Sequence, residues 1–177
     1  LNRFDPKTET FRRYENDPRD PASLSNNEVW FIHFGSSGDM WIGTSGEGLN
    51  RLHNGRISVI RQSDGLWDAL VQVILEDRTG HFWITCNRGF YRVSRAELDA
   101  FAEGRLAKVT STGYGPGDAL RSSTFAGVVQ HAGAIDDQGL LWLPSFKGLV
   151  VVDPAHLPDA AAPPPLPRAA TSRRWSR

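Results

Sequence analysis

The chain has 177 residues, 40% hydrophobic and 23% charged, close to the averages of globular proteins. Its 20 basic residues balance its 20 acidic ones, which gives no ground for a nucleic-acid or anionic-membrane partner. Cys86 is alone, so an intrachain disulfide is excluded, and no stretch approaches the ~20 apolar residues of a spanning helix.

Leu1 to Phe4 reads as a strand, Pro6-Lys7-Thr8 as a turn and residues 10–14 as a second strand. Residues 16–23 are dense in Asn, Asp and Pro and cannot hold a ladder. Residues 29–34 are apolar at nearly every position, as in a strand covered on both faces. Strands over residues 40–44, 48–52 and 57–60 follow, the last two joined by His53-Asn54-Gly55, since Asn-Gly is a strong hairpin signal. After residues 63–66 the pattern restarts, with strands at 70–75, 81–85 and 90–93. Ser94 and Glu97 then form a capping-box pair, and Gly104 ends the segment, which predicts a short helix over residues 94–103. An outer strand at 107–111 and a Gly-rich loop at 112–124 lead to strands at 125–134, 140–143 and 148–152. Beyond residue 157 the composition turns to Ala and Pro, then to Arg168, Arg173, Arg174 and Arg177, which predicts a disordered tail over 158–177.

The central stretch Met40-Trp41-Ile42-Gly43-Thr44 with Gly48-Leu49-Asn50-Arg51 returns twice in degraded form, around Trp83 with Gly89 and around Trp142 with Gly148. Trp41 and Trp83 lie 42 residues apart, the length of one four-stranded propeller blade, and the 59 from Trp83 to Trp142 accommodate the inserted helix. The expected fold is therefore all-β: a β-propeller fragment of about three four-stranded antiparallel blades with one short inserted helix. Residues 1–15 close a preceding blade, 16–62 and 63–111 form two blades, and 112–157 form a last, incomplete one.

Leu1-Asn2-Arg3-Phe4-Asp5-Pro6-Lys7-Thr8, Ser23-Leu24-Ser25-Asn26-Asn27-Glu28-Val29-Trp30 and the stretch Trp41 to Leu52 resemble two-component regulator propeller repeats. The resemblance covers about residues 1–154. It implies a periplasmic sensor region of a bacterial hybrid histidine kinase or diguanylate cyclase, without catalysis or cofactor of its own. It also implies further blades and a β-sandwich in a longer protein. Residues 148–154 resemble the last blade of such arrays, yet no sandwich follows them.

In a four-stranded meander the second-to-third loops and the blade crossovers share one end, which is where a ligand would sit. Those loops carry Trp67, Asn87, Arg88, Arg121 and Lys147, a set suited to an oligosaccharide or another small anionic ligand. Trp41, Trp83 and Trp142, with Gly48, Gly89 and Gly148, are expected to be structural, because their phase in the blade is constant. The five histidines have no metal spacing, and Asp136-Asp137 sits in a hairpin turn rather than as a catalytic pair. A polysaccharide hydrolase or lyase and a purely structural scaffold stay open as alternatives. Three blades cannot close a ring, so the end faces are expected to be apolar and to lead to oligomers (a homodimer among them), to aggregation or to a molten end blade.

Overall fold

The computed structural model describes residues 1–35, 38–118, 120, 122–127 and 132–157. The tail at 158–177, and with it the expectation of disorder, lies outside these residues, as does Arg121. Every ladder is antiparallel and joins neighbours in sequence. A ribbon of β1 (Asn2–Asp5) and β2 (Thr10–Arg13) comes first. Blade 1 follows as β3 (Val29–Phe34), β4 (Met40–Thr44), β5 (Leu49–His53) and β6 (Arg56–Ile60). Blade 2 is β7 (Val73–Glu76), β8 (His81–Cys86), β9 (Gly89–Ser94) and β10 (Ser111–Tyr114). Blade 3 has three strands: β11 (Ala134–Ile135), β12 (Leu141–Ser145) and β13 (Gly148–Val152).

The core lies between the sheets, in three apolar clusters. One joins the ribbon to blade 1 through Tyr14, Leu24, Ile42 and Ile57. The next joins blades 1 and 2 around Trp41, which is fully buried and meets Phe82 edge-on at 5.2 Å. The third joins blades 2 and 3 around Trp83, Phe90, Phe125 and Leu141. Trp142, with no blade beyond it among the described residues, is only half-buried. The repeated tryptophan is thus the residue each blade presents to the next.

Three expectations shift in detail. The first strand of blade 2 starts at Val73 and not at residue 70, since the Val71 N–H is given to the Thr44 carbonyl of blade 1. Of the first strand of blade 3, expected at 125–134, residues 128–131 lie outside the described residues; the described part holds the strand Ala134–Ile135 and an isolated bridge from Phe125 to Ser145. The outer strand of blade 2 starts at Ser111, not at residue 107. Residues 105–110 are instead drawn to the helix α1 (Arg95–Ala102) and to residue 64. The capping box at Ser94 does not form: no side-chain bond caps α1, and Glu97 accepts the Thr110 N–H at 2.6 Å. Exposed Phe34, Phe146, Leu149 and Val151 mark the sheet edges and faces that no element of the described residues covers.

Candidate functional site

The expected site lies at the loop end. Each second-to-third hairpin is held by the residue three places after the repeated Trp. Thr44 donates to the Gly48 carbonyl at 3.2 Å, Cys86 to that of Gly89 at 3.5 Å and Ser145 to that of Gly148 at 2.7 Å. The glycines take φ of 102°, 137° and 126°, where a side chain is strained. At Gly48 and Gly89 a Cβ would also strike the carbonyl of the neighbouring outer strand, 2.1 Å from Ile60 and 2.0 Å from Tyr114. Burial pushes the Cys86 thiol up to about 12, so it stays protonated and serves as a hairpin donor rather than a nucleophile.

The crossovers repeat as well. Asn26, Asp68 and Ser122 each accept the backbone N–H two residues on, from Glu28, Leu70 and Thr124. This register makes Trp67 the counterpart of Ser25, and Tyr91 the counterpart of Asn50. Ser25 and Asn50 are buried and bonded to each other, Ser25 N–H to Asn50 Oδ1 at 2.8 Å and Asn50 Nδ2 to Ser25 Oγ at 2.9 Å. Trp67 and Tyr91 replace that polar pair by rings 6.1 Å apart, and Trp67 lies so close on Gly113 that a Cβ there would sit 2.0 Å from the indole.

The structure brings three of the expected ligand residues together. The Arg88 guanidinium lies 4.7 Å from the Trp67 ring centroid, pairs with Asp68 at 2.7 Å and donates to the Trp67 carbonyl. Asn87 accepts from Gln72 at 3.0 Å. Lys147 is exposed on the separate hairpin of blade 3. Trp67 is therefore wedged between backbone and cation, while Arg88 and Asn87 still reach solvent. Sequence reasoning put Trp67 in this group by its type. The signal for its packing role was its register with Ser25.

The opposite end holds a cluster that was missed. Asp39, fully buried, pairs with Arg51 at 3.2 Å, Arg95 at 3.5 Å and His53. Arg51 also meets Asp99 at 3.2 Å and Glu103 at 3.4 Å, and Arg95 meets Glu76 at 3.1 Å, which in turn bonds His33. Helix α1 carries Arg95 and Asp99, with Glu103 just past its end, so the insertion brings both signs of charge into the gap between blades 1 and 2. Burial raises the Asp99 carboxyl above the usual range, against the pull of Arg51 and Arg95. No expectation reached this cluster, because its charges come from five separate segments.

The same end of blade 2 uses a different device. Asp77 accepts the Trp83 indole N–H at 2.7 Å and the N–H groups of Thr79 and His81; Asp136 repeats this with Trp142, Gln138 and Leu140. Burial pushes the Asp77 carboxyl up, but the bonds from Trp83, His81 and Thr79 outweigh it and hold it below the usual range. The Trp142 indole leads the bonds that lower Asp136. Blade 1 has Gly35 at this position, and its Trp41 indole nitrogen has no hydrogen-bond partner among the described residues.

The fold defines a class: a stretch of β-propeller, its blades packed through repeated tryptophans. Residues 23–46 match the family model described as Two component regulator propeller, and this matched stretch includes the contact between Ser25 and Thr44. Among solved structures it is similar to the extracellular domain of a hybrid two-component system, BT3049, from B. thetaiotaomicron. Identity is 21% and the TM-score 0.63, over 86% of this chain and 19% of that one. Two crystal structures of the extracellular domain of BT4673 from the same organism give 19% and 20% identity, with TM-scores of 0.61 and 0.65. They cover 87% and 83% of this chain, and 20% of the other in each case. The chain therefore spans about a fifth of the length of these structures. Among curated proteins none is significantly similar to it. No helix of the described residues is long and apolar enough to cross a membrane.

Proposed function

We propose that the chain is part of the ligand-sensing propeller of a bacterial two-component-type receptor, held on the periplasmic side and without catalysis of its own. The observation that carries this reading is the repeat match at residues 23–46, whose Ser25 and Thr44 contact pins a crossover to its blade. Further blades and a β-sandwich of a longer protein would complete the sensor. The ligand docks on the loop end, where Arg88, Asn87 and Lys147 offer two cations and an amide to an acidic oligosaccharide or another small anion. Trp67 holds Arg88 in place rather than serving as the sugar platform. Titration calorimetry with acidic and neutral oligosaccharides, run beside a turnover assay, tests it. Saturable binding without turnover is expected. Turnover would instead favour a polysaccharide hydrolase or lyase, and neither binding nor turnover would leave an interaction scaffold.

A further inference from the structure

The repeat places an arginine at one register position three times: Arg3, Arg51 and Arg92. Arg51 and Arg92 stand directly across the ladder from the repeated tryptophans Trp41 and Trp83. Their surroundings differ. Arg51 is 6% exposed and has three carboxylates, of which Asp99 and Glu103 are delivered by the helical insertion of the following blade. At the next junction the equivalent turn of blade 3 is Asp153-Pro154-Ala155, with no helix after it among the described residues, which enclose a cavity of about 270 Å3.

Arg92 lines that cavity with Gln138, His81, Thr79 and Ala155. The acids on its wall are already engaged. Asp77 holds the Trp83 indole and its own turn, and Asp153 accepts from His156 at 2.7 Å and the Ala155 N–H at 2.9 Å. Arg78, also on the wall, donates to the Asp137 carbonyl at 2.7 Å. Among the described residues Arg92, a half-buried residue, has neither an ion pair nor a side-chain hydrogen bond, and the side chain of Gln138, an exposed residue, has none either. A guanidinium held partly out of water favours a bidentate carboxylate partner. Its twin one blade earlier has such partners.

We propose that this inter-blade cavity is a second binding site, at the end opposite the loop face, for a small organic carboxylate. The carboxylate would take the place that Asp99 and Glu103 hold at the neighbouring junction. Arg92 would grip it, Gln138 would donate beside it, and the walls formed by Gly139, Pro154 and Ala155 would cover an apolar body. The site does not depend on the sensing reading above.

Acetate and benzoate are the probes, with benzamide as the neutral counterpart, titrated at fixed ionic strength into the full chain in whatever oligomer it forms. One saturable site per chain is expected by calorimetry for at least one carboxylate, with a rise in unfolding temperature and no response to benzamide. Arg92→Gln should weaken binding at least tenfold, and Arg19→Gln, at an exposed turn before blade 1, should leave it unchanged. Ala155→Glu should supply the missing carboxylate from within, raising the unfolding temperature without ligand and weakening benzoate at least tenfold. If Arg92→Gln fails to fold, Ala155→Glu decides alone. Absence of binding by both carboxylates, equal binding of benzamide, or binding that survives Ala155→Glu would overturn the proposal. A cavity filled only by a protein side chain would belong to the first of these outcomes.

Discussion

The junction between blades 1 and 2 and the junction between blades 2 and 3 are built from one repeat, yet they are closed by different chemistry. At the first, Asp39, Arg51, Arg95 and Asp99 fill the gap with ion pairs, and the indole nitrogen of Trp41 has no partner among the described residues. At the second, each tryptophan indole is bound by an aspartate of its own blade, and the gap is left open. Both keep an apolar Trp-centred core. The difference teaches that packing is the shared requirement of the repeat, while the rim of each junction is free to specialise.

The largest effects should come from the shared part. Trp41→Ala and Trp83→Ala each remove a fully buried indole and should cost about 3–5 kcal/mol in denaturant unfolding. Trp142→Ala, at a half-buried ring, should cost clearly less; equal losses at all three would show that burial between blades is not what matters. Next comes the ion-pair junction. Asp39→Ala takes the fully buried carboxylate from between Arg51 and Arg95, leaving them to the outer carboxylates Asp99, Glu103 and Glu76, and should cost about 3 kcal/mol, with the loss confined to blades 1 and 2 in hydrogen exchange. A surface-like effect below about 1 kcal/mol would mean that water reaches the cluster.

Smaller losses are expected where the indole clasp stands alone. Asp77→Ala should cost about 1–3 kcal/mol, since it leaves the buried Trp83 nitrogen unpaired. Acid separates the two junctions further. Asp77 has its folded pKa below the ordinary aspartate value of 3.8, so its contribution is complete above that value and is lost as pH falls through the lower, folded one. Asp99 is shifted the other way: its folded pKa lies above 3.8, so its ionised form weakens the fold, and the penalty fades as pH drops. Asp99→Asn should therefore reduce any acid stabilisation of blades 1 and 2, as read from pH-dependent exchange, and a response identical to the parent would contradict the assignment.

The smallest change in free energy, but a visible one in solution, should come from the outer faces. Phe146, Leu149 and Val151 are 74%, 55% and 47% exposed, an apolar patch of the kind that a monomer seldom presents to water. Sedimentation of the 177-residue chain should show dimers or larger species, and Leu149→Lys with Val151→Lys should shift it towards monomer. A sharp monomer in the parent would remove the case for association.

Much of this was legible beforehand because it is carried by period and turn chemistry. Trp41 and Trp83 set the blade length, Asn54-Gly55 marked a hairpin, and the insertion was announced by the extra spacing before Trp142. What stayed hidden depends on contacts between distant segments. The Ser94 and Glu97 pair fits a capping box locally, but Thr110 offers Glu97 a backbone donor that no local pattern reveals. Arg51 looks like any strand arginine until Asp39, Asp99 and Glu103 are seen around it. At the loop end, Trp67 was singled out as an exposed aromatic, whereas its place in the register makes it the partner of Tyr91.

Helix α1 also bears on the order in which the sheets assemble. The outer strand of blade 1 is reached across two residues, 54 and 55, whereas that of blade 2 is reached across residues 95–110. Closing the longer connection costs roughly 1.8 kcal/mol more in chain entropy by simple loop scaling, before any helix formation offsets it. Blade 1 can therefore zip from one local hairpin to the next, while β10 must wait until α1 has docked on Arg51. Pulse-labelled refolding should find the amides of β6 protected before those of β10, with the lag shortened when residues 95–110 are replaced by a two-residue turn. A strand added late is also the first to open, so the segment that locks the first junction leaves the outer edge of blade 2 as the slow seam of the array.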